Sequence, residues 1–465
     1  MNDAGVIAAI ATPAGTGAIG IVRLSGEGSA RVLSRIFKPN GKSEKWVSHK
    51  LRSGLVTDGE KIIDEALAVI MLPPRSYTTE ESAEIYSHGG MAATRGVLGA
   101  ALKNGARPAM PGEFTKRAFI NGRLDLSQAE AVMQLIGAKT ELGVAAGVRQ
   151  LRGGLSRRVF YLRETTIGLI ANVELSIDYP EHESEAMNLR EIRAACERLS
   201  GETARLAKTF ETGRIIAEGA RVSIVGSPNA GKSSLLNAVL REDRAIVAET
   251  PGTTRDVLTE PVGVRGLPLY ISDTAGVRET DEAVEKIGVE KTMESLACAE
   301  LAIWVVDRSR PPSREDFMAA GLLRDKNFVA VLSKCDLPCA GEMTLERFEE
   351  AFAKYFEKGI SFIEVSAVSM AGLERMYDAV EAALIGRGEF NSAETEIVAN
   401  ERHRYLLDSA AREFLRAIEA IDAGATEDLV AVHLGEAYRR LGEITGDEIG
   451  EDIIDRIFSE FCVGK

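Results

Sequence analysis

Gly226-Ser227-Pro228-Asn229-Ala230-Gly231-Lys232-Ser233 is the stretch whose reading decides the fold. It fits G-x-x-x-x-G-K-[ST], a loop that cradles phosphate. Val222, Ile224 and Val225 before it read as a short buried strand, and Ser234 to Leu240 after it as a helix. That strand–loop–helix context gives the pattern its meaning. The glycines let the backbone curl until several N–H groups face one phosphate. The helix N-terminus adds partial positive charge. Lys232 is expected to reach the β- and γ-phosphates and Ser233 to hold Mg2+, with Asn229, Ala230, Gly231 and Ser234 completing the cradle.

Outward from the loop, strands are expected at Val222–Val225, Leu269–Ser272, Leu301–Val306, Phe328–Leu332 and Phe362–Val365. Helical stretches separate most of them, which indicates a mostly parallel sheet. Val257 to Val264 meets Leu269–Ser272 across a turn at Gly266, giving one antiparallel edge. Asp273-Thr274-Ala275-Gly276 ends the second of these strands. There an acid can bind Mg2+ through water, and a glycine N–H can meet a γ-phosphate. In Gly252-Thr253-Thr254-Arg255-Asp256 a threonine hydroxyl can complete the Mg2+ shell, and Thr254 is the one assigned.

Ser333-Lys334-Cys335-Asp336 follows the fourth strand. A carboxylate at Asp336 can accept both N1–H and the exocyclic amine of guanine, whereas adenine would leave it badly paired. The usual pattern is Asn-Lys-x-Asp, and here Ser333 replaces the Asn. Ser366-Ala367 resembles the fifth guanine-nucleotide motif. Val277 stands where many GTPases carry a water-orienting Gln. Glu279, Asp281, Glu282 and Glu285 follow it, and residue chemistry alone does not choose among them.

The chain has 465 residues, enough for roughly three domains. Hydrophobic content is 45% and charged content 27%, as in ordinary soluble proteins. No apolar run reaches about 18 residues, so no membrane span is expected. No signal peptide is read at Met1-Asn2-Asp3-Ala4, and five scattered cysteines suggest reduced thiols in a cytoplasm. Cys335 and Cys339 lack a second pair, so no metal is expected on them. The net charge of −14 argues against a general nucleic-acid coat. Lys38, Lys42 and Lys45 form one basic cluster, and Arg149, Arg152, Arg157, Arg158 and Arg163 another; both read as solvated faces before phosphate tracks.

Over residues 1–119 short strands at Val6–Ile10, Ile21–Leu24 and Ala66–Leu72, with about two helices, read as α+β. Residues 120–215 read as helices. Ser127 and Glu130 have capping-box spacing, as do Asn188 and Glu191. Three more helices, 399–422, 428–441 and 447–461, are expected to pack on those of 120–215. The nucleotide domain, 216–385, is then an insertion in a helical domain that resumes at 386–465.

Ile21-Val22-Arg23-Leu24-Ser25-Gly26, Tyr77-Thr78-Thr79-Glu80, His88-Gly89-Gly90, Pro111-Gly112-Glu113-Phe114, Arg117-Ala118-Phe119 and Leu124-Asp125-Leu126-Ser127-Gln128-Ala129-Glu130 join the nucleotide motifs and the Cys-x-Gly-Lys tail. With these pieces the chain resembles, end to end, the MnmE (TrmE) family of tRNA-modification GTPases. The resemblance implies a multidomain α/β fold. It comprises an N-terminal α+β domain similar to folate-binding domains, a helical bundle, and an inserted P-loop GTPase domain. It implies GTP hydrolysis and a homodimer built on the first domain. It also implies a heterotetramer with the FAD-binding partner MnmG (GidA), which modifies C5 of tRNA uridine 34 with aminomethyl or carboxymethylaminomethyl groups. Family contacts to 5-formyltetrahydrofolate or a related folate fall on Arg23, Glu80, Arg123 and Lys465. Family K+ ligands fall on Asn229, Ala248, Thr250 and Thr253, the water-orienting acid on Glu285, and the tail cysteine on Cys462.

Two other readings remain at this stage: a GTP-regulated RNA- or ribosome-binding assembly factor without a folate site, and a dimerisation scaffold with a decayed nucleotide site, suggested by Ser333.

Overall fold

The computed structural model describes residues 5–41, 45–178, 188–243, 261–273, 293, 295–339, 341, 343–357, 359–386 and 396–464. Ala248, Thr250, Thr253, Thr254, Thr274, Ala275, Gly276, Val277, Glu285 and Lys465 lie outside them. Two compact units result, one of residues 1–133 with 439–465 and one of residues 134–438. Among the described residues no helix is long and apolar enough to cross a membrane.

The first unit is built on a seven-stranded sheet. Its strands are β1 (Ile7–Ile10), β2 (Ile19–Ser25), β3 (Phe37–Pro39), β4 (Arg52–Asp58), β5 (Lys61–Met71), β6 (Ser82–His88) and β7 (Arg107–Pro108). The order is β3-β4-β5-β6-β2-β1-β7, antiparallel except for β1 with β7. β1, β2 and β5 carry the three expected apolar runs. β4 is disguised by Gly54, where a side chain would meet the Lys38 carbonyl at 2.4 Å and the Phe37 ring at 2.7 Å. Three helices, not two, accompany the sheet: Ser29–Ile36, Met91–Lys103 and Glu113–Ile120. Val32, Leu33, Ile36, Val97 and Ala101 pack onto Val22, Leu24, Ile70 and Ile85 as one apolar core.

The helix Leu126–Gly137 starts earlier than the Ser127/Glu130 spacing suggests. Asp125 and Gln128 form the reciprocal cap: Gln128 N donates to Asp125 Oδ1 at 2.9 Å, and Asp125 N donates to Gln128 Oε1 at 3.0 Å. Ser127 lies inside the first turn and donates to the same Oδ1. Asn188 and Glu191 do form the expected box.

Of the three C-terminal helices, Glu401–Asp422 packs along Leu189–Lys208, where Ser200 Oγ donates to the Ala411 carbonyl at 3.1 Å. The last, Glu451–Ser459, packs on the helix Leu126–Gly137, within 120–215 as expected: Phe458 and Phe461 close over Leu126 and Ala129, and over Phe119 just before them. The tail continues onto β1. Gly112 N donates to the Cys462 carbonyl at 3.3 Å, and a side chain at Gly464 (φ 93°) would lie 2.4 Å from the Ile10 carbonyl.

The second unit holds a six-stranded sheet of β8 (Ala220–Val225), β9 (Val262–Val264), β10 (Leu267–Asp273), β11 (Leu301–Asp307), β12 (Phe328–Ser333) and β13 (Phe362–Glu364). Its order, β13-β12-β11-β8-β10-β9, is parallel except for the β9–β10 hairpin at Gly266. The core strands are buried on both faces, which explains their unbroken Val, Ile and Leu runs. All the parallel strands end on one side, and the loops at those ends carry the nucleotide motifs.

Candidate functional site

β8 delivers the chain to Gly226 through buried Val222, Ile224 and Val225. Gly226 (φ 153°) passes so close to β11 that a side chain would lie 2.2 Å from the Val305 carbonyl. Asn229 (φ 60°) and Gly231 (φ 99°) take left-handed backbone, which turns the loop before the helix Lys232–Asp243. Lys232 is almost wholly buried, and its Nζ donates to the carbonyls of Gly226 at 3.0 Å and Ser227 at 2.8 Å. Asn229, Ser233 and Ser234 are exposed, and Ala230 is buried. Asp273 closes β10 in register with Ile224, two residues before the loop.

Ser333 ends β12. Its hydroxyl donates to the carbonyls of Ala230 at 2.5 Å and Val306 at 3.2 Å. The shorter side chain therefore reaches the phosphate loop by itself. Lys334 (φ 60°) places its Nζ 2.6 Å from Asp307 Oδ2. Burial would raise the Asp307 carboxyl, but hydrogen bonds from Lys334 and Ser309 outweigh it and hold the group below its usual range. Asp336 is exposed, and its Oδ1 accepts from Ser366 Oγ at 2.6 Å. Ser366 Oγ accepts in turn from the N–H groups of Val368 and Ser369, at 3.2 and 3.1 Å. Ala367 lies between them, half-buried. Arg308 fastens the two loops: Nη1 donates to the Cys335 carbonyl at 3.2 Å, and Nε pairs with Glu364 at 2.8 Å.

The structure thus brings together Asn229, Ala230, Gly231, Lys232, Ser233, Ser234, Ser333, Lys334, Asp336, Ser366 and Ala367 from the ends of three separate strands, β8, β12 and β13. Asp307, Arg308 and Arg310 belong to the same surroundings and carry no motif. Their only signal in the sequence is their place at the end of a buried strand.

In the first unit Arg23 pairs with Glu84 at 2.7 Å. Its guanidinium lies 5.3 Å from the centre of the Tyr77 ring. Arg123 lies 4.7 Å from the same centre and donates from Nη1 to the Tyr77 carbonyl at 2.7 Å. Glu80 accepts from Ser25 Oγ at 2.9 Å and from Arg117 at 3.1 Å. Burial first, and Glu84 next, push the Tyr86 phenol up to about 12. The cluster offers guanidinium groups, a carboxylate and an aromatic face together. A separate cavity of about 590 Å³ is lined by Ile10, Gly15, Thr94, Leu98, Ala109 and Val463, and not by Arg23, Glu80 or Arg123. Cys462, next to Val463 in the chain, is exposed.

Comparison with known proteins covers both units. The sequence profile of the TrmE N-terminus, described as that of a GTP-binding protein, matches residues 6–123. The profile of the MnmE helical domain matches residues 126–462. A tRNA modification GTPase MnmE of Thermoanaerobacter pseudethanolicus is 44% identical over 463 residues, covering 99% of each chain. The chain belongs to the MnmE family. Proteins of the same name from Clostridioides difficile and Geobacillus kaustophilus are 43% and 42% identical, over 99% and 100% of each chain. This MnmE-family chain is therefore a GTP hydrolase of tRNA modification, and Ser333 does not mark a scaffold outside that family.

Proposed function

We propose that this MnmE-family GTPase reads guanine with Asp336 and grips the phosphates with the loop Asn229–Ser234. The observation that carries this reading is the 2.6 Å bond from Ser366 to Asp336, which aims an exposed carboxylate while leaving its other lone pairs for N1–H and the amine of guanine. Asp273 at the end of β10, Ser333, Lys334 and Ala367 complete the nucleotide surroundings, with Thr274, Ala275 and Gly276 beyond the described residues.

In hydrolysis, water attacks the γ-phosphorus and the bond to the bridging oxygen breaks, giving GDP and phosphate. Lys232 would leave the carbonyls of Gly226 and Ser227 for the phosphates. Glu285 orients the water. The exposed hydroxyl of Ser233 fits an oxygen-liking Mg2+, and Thr254 is proposed as a second ligand. The exposed amide of Asn229, at the lip of the loop, fits K+, with Ala248, Thr250 and Thr253. Bound there, the cations supply the positive charge that the transition state needs.

In the first unit Arg23, Glu80, Arg123 and Lys465 are proposed to hold 5-formyltetrahydrofolate or a related folate, with Cys462 acting nearby. The domains are proposed as 1–119 for folate and dimerisation, 120–215 and 386–465 as helical, and 216–385 as the GTPase. Acting as a cytoplasmic homodimer with the flavoprotein MnmG (GidA), the protein would install aminomethyl or carboxymethylaminomethyl groups at C5 of uridine 34. GTP hydrolysis would switch its conformation.

Asp336→Asn tests the base assignment. An amide donates where the carboxylate accepted, so turnover should pass from GTP to xanthosine triphosphate, whose base carries a carbonyl there. Unchanged GTP preference in the variant would remove Asp336 from the site.

A further inference from the structure

Arg310 belongs to no nucleotide motif, yet its guanidinium touches the phosphate loop. Nη2 donates to Ser227 Oγ at 2.5 Å. The same nitrogen lies 3.3 Å from Asp316 Oδ2, and Nε lies 3.7 Å from Asp307 Oδ2. Asp316 is fully buried, and its Oδ2 also accepts from the N–H and hydroxyl of Ser313, in the capping box that opens the helix Arg314–Leu322. Two carboxylates therefore fix the guanidinium from behind. In front of it, Ser227 is buried, and its carbonyl accepts from Lys232 Nζ at 2.8 Å. Asp307 Oδ2 holds Lys334 Nζ as well, at 2.6 Å.

We infer that Arg310 is a positioning residue of the nucleotide site. It fixes Ser227 and, through the Ser227 carbonyl, the resting place of Lys232. Asp307, shared by Arg310 and Lys334, links the phosphate loop to the loop that reads the base. A guanidinium suits this task because its planar donors can meet several acceptors at once, and a charged donor bonds more strongly than a neutral one. An ammonium at the same place is a point charge on a shorter reach. The inference rests on the assignment of Lys232 and Asp336 to GTP.

The test compares the full-length chain with Arg310→Ala, Arg310→Lys, Ser227→Ala and the Arg310→Ala/Ser227→Ala double variant. Steady-state GTP hydrolysis and binding of a fluorescent GDP are read in each. Arg310→Ala should raise KM and the GDP Kd by about fivefold to tenfold, with kcat within about twofold. Arg310→Lys should recover part of the loss. Ser227→Ala should match Arg310→Ala, and the double variant should be no worse than either, because all three break one link. Ser227→Ala leaves both carboxylate contacts of Arg310 in place, so it decides the matter even where Arg310→Ala folds poorly. Wild-type KM in Ser227→Ala, or losses that multiply in the double variant, would overturn the inference. A wild-type chain that does not bind GDP would instead overturn the site assignment beneath it.

Discussion

The hydroxyl of Ser333 donates to the carbonyl of Ala230, joining the loop proposed to read the base to the loop proposed to hold the phosphates. It also donates to Val306, so one small side chain spans three strand ends. An Asn would bring an amide to this place; the close approach of Gly231, whose missing side chain would stand 3.6 Å from Ser333, lets a hydroxyl suffice. Ser333→Ala should leave the Ala230 carbonyl short of its donor, at a cost of about 1 kcal/mol. GDP should then bind about fivefold more weakly, as measured by fluorescence titration. Unaltered affinity would show that the tie is dispensable.

Tyr77 is shared by the two arginines proposed for folate, with centroid distances of 5.3 Å to Arg23 and 4.7 Å to Arg123. Its ring orients both, while its hydroxyl is occupied with Thr115 at 2.9 Å. Tyr77→Leu should therefore weaken binding of 5-formyltetrahydrofolate by about tenfold in calorimetry, from lost cation–π contact and lost aim. Tyr77→Phe keeps the ring and should stay within about twofold of the wild type. Equal affinity in the Leu variant would place the folate elsewhere.

The motifs were legible because their chemistry is local: Gly226, Gly231 and Lys232 sit within one loop, and Asp336 lies three residues past a strand end. The parallel core strands were equally plain as unbroken apolar runs. Ties across the chain left no such trace. Arg310 and Ser227 are 83 residues apart, and nothing near either one announces the other. Ser127 was a plausible cap by spacing, but Asp125 holds that place because a carboxylate reaches two donors there. β4 and the short β3 were hidden because Gly54 breaks the strand pattern where Phe37 needs room.

Cys196 is fully buried in the helix Leu189–Lys208, and burial pushes its thiol up to about 11 from an ordinary 9.0. The fold favours the neutral thiol. Its contribution to stability is complete below pH 9 and is lost as the pH climbs toward 11. Urea unfolding should therefore show the wild type losing stability between pH 9 and 10.5, and Cys196→Ala losing less over the same interval. The exposed Cys298 and Cys462 should react with a thiol reagent in the native protein, and Cys196 only on unfolding. Parallel pH dependence in the two proteins would contradict this account.

In the proposed mechanism hydrolysis relies on a cation at Asn229 in place of the arginine that other GTPases use, with Glu285 in place of their water-orienting Gln. The most direct measurement is the GTP hydrolysis rate of the purified full-length chain in potassium and in sodium buffer at equal ionic strength, repeated with Asn229→Ala. The account predicts a stimulation of about tenfold or more by potassium, lost in the variant. Equal rates in the two salts, or a stimulation that survives Asn229→Ala, would contradict it.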